Sequence, residues 1–199
     1  MTRFVPLSVF LATAAAQAAP AQTATERAHT FFEQAFQERL ARDPMRQTEM
    51  GIKDDYGLWN DLTDAHATET AGIIERQLST LRREIPYDEL DDDTRLSYDL
   101  FALDAQRELD RHTWRFHTYP INQLYGWQSR IPGFLIGYHA VQSVSDAEAY
   151  VQRIHGIRDL LAQVVDGLGV RARRGVVAPA IVFTKAIADC RNVLSGRPL

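Results

Sequence analysis

TDAHATETAGIIERQLSTLRREIP, residues 63–86, places Ala67, Ala71, Ile74, Leu78, Leu81 and Ile85 at alternating intervals of four and three. On an α-helix that spacing gathers these side chains on one face, whereas a strand would scatter them over both. Pro86 closes the run, because the residue before a proline is pushed out of the α region. The spacing predicts an amphipathic helix from about Thr63 to Ile85 that buries one side against neighbours.

The same periodicity recurs on both sides of this segment. Upstream, Thr23-Ala24-Thr25-Glu26 is a capping box, in which hydroxyl and carboxylate satisfy reciprocal backbone donors. Ala28, Phe31, Phe32, Ala35, Phe36 and Leu40 follow as one stripe, and Asp43-Pro44 ends it. A short turn over Gln47–Met50 stops at Gly51, and residues 52–62, IKDDYGLWNDL, read as an ordered loop holding Trp59. Downstream, a helix opens in Asp91-Asp92-Asp93, where carboxylates suit the positive end of the helix dipole better than they suggest a metal site. It carries Leu96, Leu100, Leu103 and Leu109 towards His112. Ser145-Asp146-Ala147-Glu148 forms a second capping box before Val151, Ile154, Ile157, Leu161, Val164 and Leu168. Gly167 and Gly169 mark the end of that helix, with Arg171, Arg173 and Arg174 beyond it in water. The last helix begins near Pro179, runs through Ile181, Phe183, Ile187, Cys190 and Leu194, and stops at Ser195-Gly196. No strand pair, short-period repeat or low-complexity linker is legible. The expected fold class is all-α, a multi-helix array.

The N-terminus speaks to compartment. Arg3 is a short basic region, Phe4–Ala16 is uncharged and largely apolar, and Ala16-Gln17-Ala18 offers a signal-peptidase site. The apolar run is too short for a membrane span, so residues 1–18 read as a secretory signal peptide. Residues 19–199 are then a single α-helical domain, periplasmic or secreted. Residues 1–18 hold one Arg and no acid, so the net charge of −4 becomes −5 after their removal. An acidic chain without a dense basic block argues against nucleic acid or anionic membrane as a partner. Cys190 is the sole cysteine, which excludes an internal disulfide, and its apolar neighbours predict a buried thiol.

A search for catalytic chemistry returns little. None of the six histidines is followed by Glu, so H-E-x-x-H is absent, and the spacings of His112 with His117 and of His66 with Glu69 fit ordinary surface histidines better. G-x-S-x-G, Walker and G-x-G-x-x-G patterns are absent too. Residues 113–137, TWRFHTYPINQLYGWQSRIPGFLIG, show no clean helical period, and the segment with the best claim to function is Tyr119–Tyr138. A loop this rich in aromatics is either a buried plug or part of a binding surface. Asn122 and Gln123 would offer amide donors and acceptors, and Tyr125, Trp127 and Phe134 apolar walls, a mixture suited to a peptide-like ligand.

Taken in order, FFEQAFQERLARDP, MGIKDDYGLWNDL, LDDDTRLSYDLF, PINQLYGWQSRIPGFL, SVSDAEAYVQRI and GVVAPAIVF…DCRNVL resemble the N-terminal part of the bacterial proteins called domain of unknown function 885. The resemblance implies an exported, mostly helical, longer parent, similar to gluzincin-type zinc metallopeptidases, with an H-E-x-x-P-G-H-type helix far into its C-terminal part. That helix is not in this sequence, so no catalytic residue and no metal ligand carries over. The resemblance implies a substrate-cleft-forming part, incomplete and inactive by itself, whose partners would be a peptide substrate and the missing C-terminal part. Zinc would then be expected in a full-length relative and no cofactor in this chain. The competing expectation is a stand-alone exported helical module that binds peptides or a protein without catalysis.

Overall fold

The computed structural model describes residues 22–196. Among them the chain forms α1 (Ala24–Leu40), α2 (Pro44–Glu49), α3 (Asp64–Glu84), a 3-10 turn (Tyr87–Glu89), α4 (Asp92–Thr113), α5 (Trp127–Gly137), α6 (Val144–Arg173) and α7 (Ala180–Leu194), with no strand. The fold is an all-α multi-helix array, as the spacing of the apolar residues demands. The signal-peptide reading falls on residues outside the described ones.

Local signals set most boundaries. Thr23 caps α1 through the full reciprocal box with Glu26. Asp43 caps α2, with Pro44 at its first position, and Thr63 and Asp91 cap α3 and α4 by accepting the backbone N–H of His66 and Thr94. Gly51 ends α2 at φ +79°, while Ile52 N–H reaches back to Gln47 O at 2.8 Å. That is the left-handed stop for which glycine carries no Cβ penalty.

Two sub-bundles build the core. In the first, Ala24 and Ala28 of α1, Leu81 and Ile85 from the α3 end, and Leu90 pack around Phe31, Phe32 and Phe101, and Ile74, Leu78 and Ala105 continue the layer. In the second, Ile131 and Leu135 of α5 meet Leu160 of α6 beneath Trp59, Leu62, Trp127 and Tyr150. Segment 52–63 joins the two by lying along α6. There Trp59 Nε1–H donates to Arg153 O at 2.8 Å. A Cβ on Gly156 would stand 3.0 Å from the indole, so glycine lets the ring lie against the helix.

Four expectations change. Residues 127–137 are helical despite Pro132, because Ile131, Phe134 and Leu135 are all buried. Burying three such side chains, at about 1.5–3 kcal/mol each, outweighs the roughly 3 kcal/mol that an interior proline costs. The cap of α6 is Ser143, not Ser145, and the helix runs through Gly167 and Gly169 to a left-handed stop at Gly175. Its inward face is Asp146, Arg153, Leu160 and Val164, whereas Val151, Ile154 and Leu161 are exposed. Likewise α4 buries Thr94 and Ala105 beside Phe101 and Ala102, and Leu96, Leu100 and Leu103 face out. Cys190 is exposed rather than buried, because α7 turns only Val182 and Ala186 fully inward.

Candidate functional site: an open trough between the sub-bundles

Two open cavities adjoin, one of about 590 Å³ where the sub-bundles meet and one of about 740 Å³ against α1, α3 and α4. Both are lined by Asp61, Leu62, Ala67 and Arg115, so they form one trough crossing the N-terminal half of α3. The smaller is walled by Phe116, Pro120, Trp127, Val164 and Val170, and the larger by Phe36, Leu40, Ala71 and Ile74 with several arginines. Apolar walls carrying a few placed polar groups are the usual make-up of a ligand cleft.

Arg115 stands on the ridge between them. Its Nε donates to Asp64 Oδ1 at 2.6 Å and its Nη1 to His112 O at 2.9 Å, and its guanidinium lies 4.7 Å from the Phe116 ring centroid. The hydrogen bond from Arg115 holds the Asp64 carboxyl below the usual carboxylate range. Arg171 of α6 is half-buried and fixes the opposite wall. Its Nη2 donates to Arg115 O at 2.8 Å and its Nε to Thr118 O at 3.0 Å, while its Nη1 returns to Gly167 O at 3.0 Å. Burial lowers the Arg171 pKa from its ordinary value. A Cβ on Gly167 would come within 3.0 Å of Arg171 Nη1, which explains a glycine in mid-helix. Arg171 was expected in water; it is instead the clamp that shapes the 115–118 turn. Across the floor, Gln163 Oε1 accepts Leu62 N–H at 2.7 Å and ties segment 52–63 to α6.

The residues singled out from sequence take different places. Trp127 lines the smaller cavity. Asn122 ties its own loop, its Oδ1 accepting Leu124 N–H and Tyr125 N–H at 2.9 Å each while Nδ2 donates to Tyr119 O at 3.0 Å. Gln123 and Tyr125 are exposed away from the cavity walls. Phe134 is buried, 5.4 Å from the Trp59 ring and 4.8 Å beneath the Arg153 guanidinium. Leu62, Arg115, Phe116 and Arg171 complete the trough, and they meet only through contacts distant in sequence. Arg115 and Phe116 stand inside the aromatic stretch 113–137, but only the ring carried a signal that composition could flag.

The donors needed for zinc are not gathered. Among the described residues no three His, Cys, Asp or Glu side chains stand close enough together to hold a metal ion. His66 and His112 line the larger cavity, but His117 packs edge-on against Trp114 at 5.0 Å instead. The family resemblance puts zinc in the C-terminal part of a full-length relative, and no chemical step is assigned through it here. No described helix is long and apolar enough to cross a membrane.

The fold and the trough define an all-α helical array with an open trough across α3. The sequence profile of the family described as bacterial protein of unknown function (DUF885) matches residues 44–199, and the chain belongs to that family. No curated protein and no solved structure matches it.

Proposed function

We propose that this chain is the substrate-cleft-forming helical part of an exported, zinc-dependent peptidase-like protein, and that it binds an extended peptide without cleaving it. The observation that supports this most is the trough itself. It is open, its walls are apolar at Trp127, Phe116 and Leu62, and Asp61, Thr63, Arg115 and Gln163 bring polar groups to its lining. An extended peptide needs that combination, side-chain pockets alternating with partners for its backbone. This sequence holds no H-E-x-x-H pattern, and the reading assigns no cleavage chemistry to its residues. Arg3, the apolar run and Ala16-Gln17-Ala18 support export.

Ala67 borders both cavities and supports a direct test. Ala67→Trp fills the trough from the α3 side without touching either core cluster. Purified residues 19–199 titrated with a fluorescent, unstructured peptide mixture should bind, and the variant should lose at least about tenfold in affinity, the equivalent of 1.4 kcal/mol. Peptide cleavage by the zinc-loaded chain, or binding that Ala67→Trp leaves unchanged, would remove the proposal. An in-frame continuation of the coding DNA bearing H-E-x-x-x-x-H separates this reading from a stand-alone binding module.

A further inference from the structure

Apart from the trough, the most unusual chemistry in the molecule is a buried cation with neutral partners. Arg153 of α6 has no exposed surface. Its Nε donates to Leu58 O at 3.0 Å, its Nη2 to Thr48 Oγ1 at 2.7 Å and its Nη1 to His139 Nδ1 at 3.0 Å. Rings complete the cage, with Phe134, Tyr56 and Trp59 centroids 4.8, 5.5 and 5.6 Å from the guanidinium carbon. Among the described residues no carboxylate is hydrogen-bonded to it. The nearby acid, Asp146, is instead closed off by Lys53 Nζ at 2.9 Å and by Gln142 N–H at 3.0 Å.

These partners dictate the state of His139. A guanidinium can only donate, so Nδ1 carries the lone pair; Asp146 O, 3.1 Å from Nε2, can only accept, so Nε2 carries the hydrogen. The ring is stacked on Tyr56 at 4.1 Å and meets the edge of Tyr150 at 5.1 Å, with no room to turn away. A second proton would sit at Nδ1, facing a guanidinium N–H, and would put two cations in contact inside the protein. The groups around the imidazole are Arg153, Asp146 and Tyr150 of α6, and Tyr56 and Lys53 of segment 52–63. Because Lys53 neutralises Asp146, Arg153 is the uncompensated charge.

We propose that His139 and Arg153 form an acid-operated latch, which pins segment 52–62 to α6 when His139 is neutral and releases it when His139 takes a proton. The pinned segment supplies Asn60, Asp61 and Leu62 to the trough, so release loosens the wall shared by both cavities. The direction of the pKa agrees, since burial holds His139 below its ordinary 6.5 and the neighbouring Arg153 adds to this. The unfolded chain therefore takes the proton first as the pH falls. The stabilising contribution is complete above about 6.5 and is lost as the pH drops through the lower, folded value. The latch does not depend on what the trough binds.

Hydrogen exchange of the full chain, corrected for intrinsic rates, tests this. Between about pH 7.5 and about pH 5, protection of amides 52–62 should fall severalfold, while the α3 core keeps its protection. His139→Gln presents an amide oxygen to Arg153 and an N–H to Asp146 O, so it should hold segment 52–62 protected at both pH values. His155→Gln, altering an exposed histidine of α6 outside the trough, should behave as wild type. Independently of any variant, imidazole nitrogen shifts should show His139 protonated at Nε2 alone at neutral pH, titrating below 6.5 in step with the exchange. An Nδ1–H tautomer, a titration at or above 6.5, or equal acid loosening in His139→Gln would overturn the latch.

Discussion

Replacing Arg153 with methionine keeps much of the side-chain volume and removes the charge, which sets two effects against each other. Relief comes from no longer burying a guanidinium that has no carboxylate partner; burial already holds its pKa down to about 10. Exchanging buried ionic groups for packed apolar ones is often neutral or stabilising by about 1–4 kcal/mol. Against this, Leu58 O and His139 Nδ1 both lose the donor that reaches them. Each orphaned buried acceptor costs about 1–3 kcal/mol. Thr48 Oγ1 suffers less, because it still donates to Pro44 O at 3.0 Å. Methionine also forfeits the cation–π contacts to three rings, worth about 2 kcal/mol or more where desolvated. The losses exceed the relief, and the net expectation is a destabilisation of about 2–4 kcal/mol. At roughly 2–4 °C per kcal/mol for a chain of this size, Tm should fall by about 5–15 °C. Urea unfolding followed by far-ultraviolet circular dichroism measures it. A variant as stable as wild type would refute the reasoning, and a more stable one would make Arg153 a net burden on the fold.

Phe134→Ala should cost about 3–5 kcal/mol, as truncation of a buried aromatic does, whereas exposed Tyr125→Ala should stay within about 0.5 kcal/mol; thermal melts of both test whether the aromatic segment is sorted as described. Gly156→Val should destabilise by about 1–3 kcal/mol and shift Trp59 emission, because the added carbons enter the space of the indole. Asp146→Asn should flatten the acid limb of stability. Lys53, with Gln142 and Ser143, holds the Asp146 carboxyl at about 2 against an ordinary 3.8. Its contribution is therefore present above 3.8 and lost as the pH falls through about 2, and unfolding between about pH 4 and about pH 2 should depend less on pH in the variant.

The fold was legible where short-range rules operate. The caps at Thr23, Thr63 and Asp91, the stop at Gly51 and the α3 stripe all arise from neighbours within a few residues, so sequence spacing contains them. It failed where two apolar stripes share one helix. Leu96, Leu100 and Leu103 have the right spacing for a core, but α4 turns Phe101, Ala102 and Ala105 inward instead. On α6, Arg153 occupies a position where an apolar residue is expected, because the surrounding rings and carbonyls, contributed by residues up to 105 positions away, make the site polar. Periodicity has no term for such partners. The trough was half legible for the same reason. The aromatic segment pointed to the right region and to Trp127, but Arg115 and Arg171 become wall-forming only once α3, α4 and α6 converge.

The central claim, that the trough is where a peptide lies, is tested most directly by photocrosslinking. Unstructured peptides carrying a benzophenone would be irradiated with the full chain, and the adducts mapped by mass spectrometry after digestion. The account predicts adducts concentrated in residues 61–67, 114–120 and 163–171, competed away by excess unlabelled peptide. Adducts confined to the outward leucines of α4 or to α7, with the trough unlabelled, would contradict it.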